Sequence, residues 1–261
     1  PSHHIEAIGK EGRTLAEAIL AAGFDAEVPT CPGWKTRDLI RHLGEIHLWA
    51  AAHVAHPRNP PHFGTEAELL EGLGEHWPEL GTFWVDDDEL IAWYLRTNDN
   101  LVDSLEGAHP DLEAWTFLPA PTPLAMWARR QAHETAIHRF DAESSLGGGS
   151  HFGPLFASDG VDEIVGGIST RRRLDVPVGR PRTMSLRATD TADTWFVTLE
   201  EDSVTTTRGD GSADVRVAAD ASTLYLAMWN RIDDSALSVT GDEGVLKIWH
   251  RTFRVRWYQS D

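Results

Sequence analysis

In the first 145 residues the apolar positions recur with the 3.6-residue period of amphipathic helices, in four separate stretches. Ile5–Ala22 carries Ile5, Ile8, Leu15, Ile19 and Leu20, and Thr36–His56 carries Leu39, Ile40, Leu43, Ile46 and Ala50. Asp86–Leu105 opens on three aspartates, which suit the positive end of a helix dipole, and continues with Leu90, Trp93, Tyr94, Leu101 and Leu105. Pro123–Glu143 has Thr122 in the capping position and proline first in the helix. Four helices of about five turns each predict an antiparallel bundle. The connection Pro57–Trp84 is rich in Pro, Gly and Glu, and its length predicts a mouth over a site more than a simple turn.

The run SSLGGG at Ser144–Gly149 breaks the last helix and reads as a linker, so two domains are expected, at 1–145 and 150–261. Beyond it one helix is predicted over Val161–Arg173, and from Thr183 the period shortens to that of strands. Four short alternating runs, TMSLRAT, DTWFVTLE, SVTTTR and DVRVAA, are separated by turn residues. A helix over Ser222–Asn230, a strand near Leu237–Thr240, a helix after Asp242 and a closing strand Thr252–Trp257 complete an expected α+β domain, its antiparallel sheet covered on one face.

Charge narrows the function. A net charge of -18 disfavours a nucleic-acid partner, because phosphate backbones are gripped through basic patches. No apolar run is long enough to span a bilayer, and Pro1–Lys10 lacks the apolar centre of a secretory leader, so a cytoplasmic protein without a membrane partner is expected. The single cysteine, Cys31, excludes a disulfide framework and reads as a small buried residue in a turn. The 11 tryptophans, six of them in or beside helical segments, read as core.

Two helices carry the chemistry. Glu134 and His138 are one turn apart on the fourth, with Arg130 and Asp141 on the same stripe. Taken alone the stripe is equally explained by a wet face with an Arg130–Glu134 ion pair. His42 on the second helix changes that balance, because two packed helices then present Glu, His and His to one point, the ligand set of a catalytic metal site with an open position. His47 lies about 140° around the axis from His42 and His133 lies off the stripe, so both read as structural.

The run Cys31-Pro32-Gly33-Trp34, then Arg37-Asp38-Leu39-Ile40-Arg41-His42-Leu43-Gly44, together with Trp127 to Asp141, resembles the mycothiol-dependent maleylpyruvate isomerase family. That family is part of the DinB-like group of metal-binding four-helix bundles. Trp34 and His42 are spaced as in the larger group, while Glu134 stands where many of its bundles have histidine. Lys35-Thr36 departs from the single threonine-type cap of relatives. Residues 183 to 261 resemble the family's C-terminal domain, which is similar to sterol-carrier-protein folds.

The resemblance implies zinc on His42, Glu134 and His138, mycothiol as the thiol cosubstrate, and an arginine of the C-terminal domain near the substrate, best matched by Arg231. Arg231 is equally explained by favourable placement at a helix C-terminus. Arg130 and Arg139 are further candidates for holding an anionic substrate, such as an unsaturated keto acid. A thiol activated by the metal serves either cis-trans isomerisation or transfer to an electrophile. Two other classes stay open: a zinc hydrolase or lyase that activates water, and a non-catalytic module that binds a small ligand or partner. Two nitrogens and one carboxylate also suit nickel, iron or manganese.

Overall fold

The computed structural model describes residues 1–59, 61, 72–73, 75–80, 85–174 and 178–254, which fall into two compact units, 1–150 and 151–261. The first unit holds α1 (Ser2–Ala22), α2 (Thr36–Ala55), α3 (Asp87–Glu106) and α4 (Pro123–Ser144). Each predicted helix is present, and the caps explain their ends. Thr122 Oγ1 accepts from the Ala125 amide at 3.1 Å, and the Lys35 amide donates to Asp38 Oδ2 at 2.9 Å, so the unusual Lys35-Thr36 start is a working cap.

The helix directions differ from an all-antiparallel bundle. Along α2 and α3 the contacts advance together, from Arg37 with Asp87 to His47 with Tyr94, so these two run parallel. His4 meets His133 and Glu11 meets Arg139, so α1 and α4 are parallel as well. Contacts between α2 and α4 run in opposite senses, His42 with His138 and Trp49 with Trp127. A parallel α2–α3 pair requires the chain to return the full length of a helix, about 30 Å for 20 residues. That return accounts for the long 57–84 connection, most of which, Trp84 included, lies outside the described residues.

Leu15, Ile19, Leu39, Leu43, Leu90, Trp93 and Trp127 fill the bundle interior without exposure. Helix α4 is buried around nearly its whole circumference, including Gln131, His133, Thr135, His138, Arg139 and Asp141. Its polar residues therefore sit where water cannot satisfy them, and each needs a partner in the protein. No helix among the described residues is long and apolar enough to cross a membrane.

The second unit opens with α5 (Pro154–Glu163), which begins seven residues before the expected Val161 because Pro154 starts it; a π-helical turn (Ile164–Ile168) and a 3-10 turn (Ser169–Arg171) extend it. Strands β1 (Arg182–Ala188), β2 (Thr194–Glu200), β3 (Ser203–Arg208), β4 (Val215–Ala219) and β5 (Ser238–Gly241) form one sheet in the order β3-β2-β1-β4-β5. The sheet is antiparallel except at its centre, where β1 and β4 run parallel, with Met184 opposite Val215. Met184, Leu186, Trp195, Val197, Leu199, Val215 and Val217 are its buried face. Helices α6 (Ala221–Met228) and α7 (Glu243–Thr252) follow β4 and β5. The expected closing strand from Thr252 is corrected at its start: Thr252 ends α7 and Phe253 caps it, while 255–257 lie outside the described residues.

Candidate metal centre

The antiparallel contact of α2 and α4 brings His42, Glu134 and His138 together, with one ligand atom of each within 4.8 Å of the others. Glu134 Oε1 lies 3.2 Å from His138 Nε2 and 3.7 Å from His42 Nε2, and the two imidazoles meet edge to face at 5.3 Å. Edges of about 3.3 Å are what ligands at 2.0–2.1 Å around a tetrahedral ion would show. The three atoms facing one another are all acceptors when unprotonated, so the cluster needs a proton or a cation at its centre. Two nitrogens and one carboxylate suit a first-row divalent ion, and the residues fit the metal that their pattern implies.

Two of the three candidate ligands, Glu134 and His138, are aimed by a second contact. Arg130 Nη2 donates to Glu134 Oε2 at 2.8 Å, leaving Oε1 turned toward the imidazoles. His138 Nδ1 donates to the fully buried Asp141 Oδ2 at 2.8 Å, which turns Nε2 toward Glu134 and leaves it as the nitrogen that would ligate a metal. His42 and Glu134 side chains retain 28% and 21% of their exposure and His138 only 3%, so the cluster has a sealed floor and one side open to solvent.

The electrostatics follow this geometry. Burial disfavours charge on Glu134, yet hydrogen bonds with His138 and His42 and the charge of Arg130 hold its pKa well below the usual carboxylate value. Burial likewise opposes a charged His138, but Asp141, Cys31 and Glu134 outweigh it and raise its pKa well above that of a free imidazole. At His42 burial wins over Glu134 and the pKa falls. One imidazole thus carries the proton of the metal-free cluster, the place a cation would take.

His47 does not join the set: its Nε2 bonds Thr135 Oγ1 at 3.0 Å, and burial lowers its pKa to about 3, so it stays neutral. Thr135 spends its own proton on the Gln131 carbonyl at 2.8 Å, which leaves His47 as the donor in that bond. His133 is buried and off the cluster. Arg139 is taken up by Glu11, Glu143 and the Ser150 carbonyl, so it is no part of an anion pocket here. Arg231 lies in the second unit, after Asn230 at φ 58°, 8% exposed, with Nη1 donating to the Trp229 carbonyl at 2.9 Å. That contact is the helix-end placement.

Sequence reasoning placed Asp141 on the ligand stripe without its role, and missed Thr30 and Cys31. Thr30 Oγ1 donates to Asp141 Oδ1 at 2.6 Å, and the buried Cys31 places its Sγ within 4.8 Å of a His138 ring nitrogen. Cys31, His138 and Asp141 form a second close trio on the same imidazole. The contacts join residues more than 100 positions apart, and the available signals were the spacing of Asp141 from His138 and the Cys31-Pro32-Gly33-Trp34 run. A cavity of about 770 Å³ lined by Pro57, Arg58, Leu112, Trp115 and Pro123 sits past the C-terminal end of α2, about 20 Å along the helix from His42. It is therefore not the mouth of this centre.

Solved structures that share the fold include two of mycothiol-dependent maleylpyruvate isomerase. A mycothiol-dependent maleylpyruvate isomerase is 13% identical, covers 92% of each chain and superposes with a TM-score of 0.61. A histidine-to-alanine mutant of mycothiol-dependent maleylpyruvate isomerase is 12% identical over 92% of each chain, with a TM-score of 0.62. No curated protein matches the chain. Residues 5–143 match the mycothiol maleylpyruvate isomerase N-terminal domain, and residues 156–247 match the MDMPI C-terminal domain. With one match in each unit, the chain belongs to the mycothiol maleylpyruvate isomerase family.

Proposed function

We propose that this protein is a divalent-metal enzyme that uses a low-molecular-weight thiol to isomerise a small unsaturated acid, in the manner of maleylpyruvate isomerase, with mycothiol as the thiol and zinc as the metal. The observation that carries the reading is the convergence of His42 Nε2, Glu134 Oε1 and His138 Nε2 from two antiparallel helices, with one open side. Family membership and the shared fold support the choice of thiol and reaction.

His42, Glu134 and His138 would hold a divalent ion, which would supply Lewis acidity that lowers the pKa of a bound thiol or water. The chain's own residues do the rest. Arg130 keeps Glu134 ionised and oriented, and Asp141 holds His138 in the ligating tautomer. The one protein thiol, Cys31, is fully buried against His138, so the attacking sulfur comes from outside the chain. In isomerisation a C–S bond forms at the conjugated double bond as its π electrons move onto the carbonyl; the resulting single bond rotates, and the same C–S bond breaks to release the trans isomer and the thiolate. In S-transfer that bond is kept, and the enolate takes up a proton from solvent instead of expelling the thiolate. With a net charge of -18, an anionic substrate needs local positive charge, for which Arg231 is the proposed source on resemblance alone.

The test is turnover of maleylpyruvate by zinc-loaded protein with and without mycothiol. Isomerisation that requires the thiol and disappears in His42→Ala carries the proposal; zinc-dependent hydrolysis without thiol assigns the site to water activation and refutes it.

A further inference from the structure

One short turn touches both candidate histidine ligands from behind, although they lie on different helices. The turn Thr30–Trp34 joins α1 to α2 and is closed by its own backbone: Cys31 N donates to Val28 O at 2.9 Å, Trp34 N to Cys31 O at 3.0 Å and Val28 N to Trp34 O at 2.9 Å. Gly33 takes φ 89°, a value open to glycine and strained for other residues, and Pro32 fixes the preceding step. From this frame Thr30 Oγ1 donates to Asp141 Oδ1 at 2.6 Å, so the buried carboxylate is held at both oxygens, by Thr30 on one and His138 on the other. Cys31 Sγ lies within 4.8 Å of a His138 ring nitrogen. Three residues on, the Trp34 indole meets the His42 ring edge to face at 5.1 Å.

We infer that the Thr30–Trp34 turn is the positioning template of the metal centre, with Thr30 acting on His138 through Asp141 and Trp34 acting directly on the His42 ring. The inference rests on the metal reading above. The Trp34 indole, set against the His42 ring, limits that ring's rotation about its side-chain bonds. At His138 the polar contacts decide which nitrogen carries the proton. A carboxylate fixed only by His138 could swing with it, whereas one also tied to the turn cannot. Outer contacts of this kind are typically worth 10–100-fold in metal affinity.

The experiment is titration of metal-free protein with Co²⁺, whose visible absorption reports both affinity and coordination geometry. Thr30→Val and Trp34→Leu are expected to weaken Co²⁺ binding about tenfold or more and to shift the absorption bands, while thermal melts of the metal-free variants show them folded. Thr30→Ser, which restores the hydroxyl, is expected to return affinity and spectrum to wild type. If both variants bind Co²⁺ with wild-type affinity and spectrum, the inference is overturned and the metal reading stands. If wild type takes up no Co²⁺, both are overturned.

Discussion

Arg130 and Glu134, one turn apart on α4, are joined by a 2.8 Å hydrogen bond that leaves one carboxylate oxygen for the imidazoles of His42 and His138. An exposed pair at this spacing stabilises a helix by only about 0.3–0.5 kcal/mol, but this guanidinium is 6% exposed and its effect is on orientation. Arg130→Met is therefore expected to weaken zinc binding by about 10–100-fold, measured by competition with a chromophoric chelator. A variant with intact zinc affinity and a raised KM would instead make Arg130 a substrate contact.

Removing either histidine should abolish stoichiometric metal binding, yet the two variants should differ in stability. His42 reaches solvent, and His42→Ala should cost about 1 kcal/mol in the metal-free protein. His138→Ala strips a partner from the fully buried Asp141 and should cost roughly 3–5 kcal/mol. Urea unfolding of both variants, with chelator present, tests the difference.

The pH dependence of the metal-free protein has two separate arms. His138 has a folded-state pKa raised above its unfolded value, so its contribution is complete below about 6.5 and is lost as pH climbs through the raised value. His42 and His47 have lowered values, so their neutral burial destabilises the fold as pH falls below about 6.5. Melting temperature without metal should thus peak near the ordinary imidazole pKa. With zinc the alkaline loss should vanish, because the metal replaces the His138 proton. Melting curves at a series of pH values, with chelator and with zinc, check both arms.

At Gly44, α2 packs directly against the Trp93 ring of α3. A Cβ at this position would overlap the Trp93 ring, a buried side chain with little room to yield. Alanine gains about 1 kcal/mol in helix propensity, but overpacking costs about 1–3 kcal/mol, so Gly44→Ala should be net destabilising by differential scanning calorimetry. A neutral or stabilising result would mean that the helices separate at little cost.

Arg231→Ala should leave zinc affinity unchanged and reduce kcat/KM if the arginine meets substrate. Unchanged kinetics would restrict it to the helix end, where its bond to Trp229 already places it.

The helices were readable because Leu39, Leu43, Leu90 and Leu101 repeat at the period of one buried face, and caps such as Thr122 mark their ends. Helix direction was not, since periodicity says which face is buried but nothing of which neighbour runs parallel; only contacts such as Arg37 with Asp87 reveal it. The same limit hid the parallel β1/β4 pair at the centre of an otherwise antiparallel sheet. At the site, Glu134 and His138 were visible through their i,i+4 spacing, and His42 through its place on a packing helix. Thr30 and Cys31 carried no such signal, because a hydroxyl and a thiol in a turn look alike whether they face water or a buried carboxylate.

The most direct test of the metal centre is elemental analysis of the purified protein beside its Glu134→Ala variant. About one zinc, or another first-row divalent ion, per wild-type chain and none in the variant is the expected result. Equal metal content in the two, or none in either, would contradict the assignment of His42, Glu134 and His138.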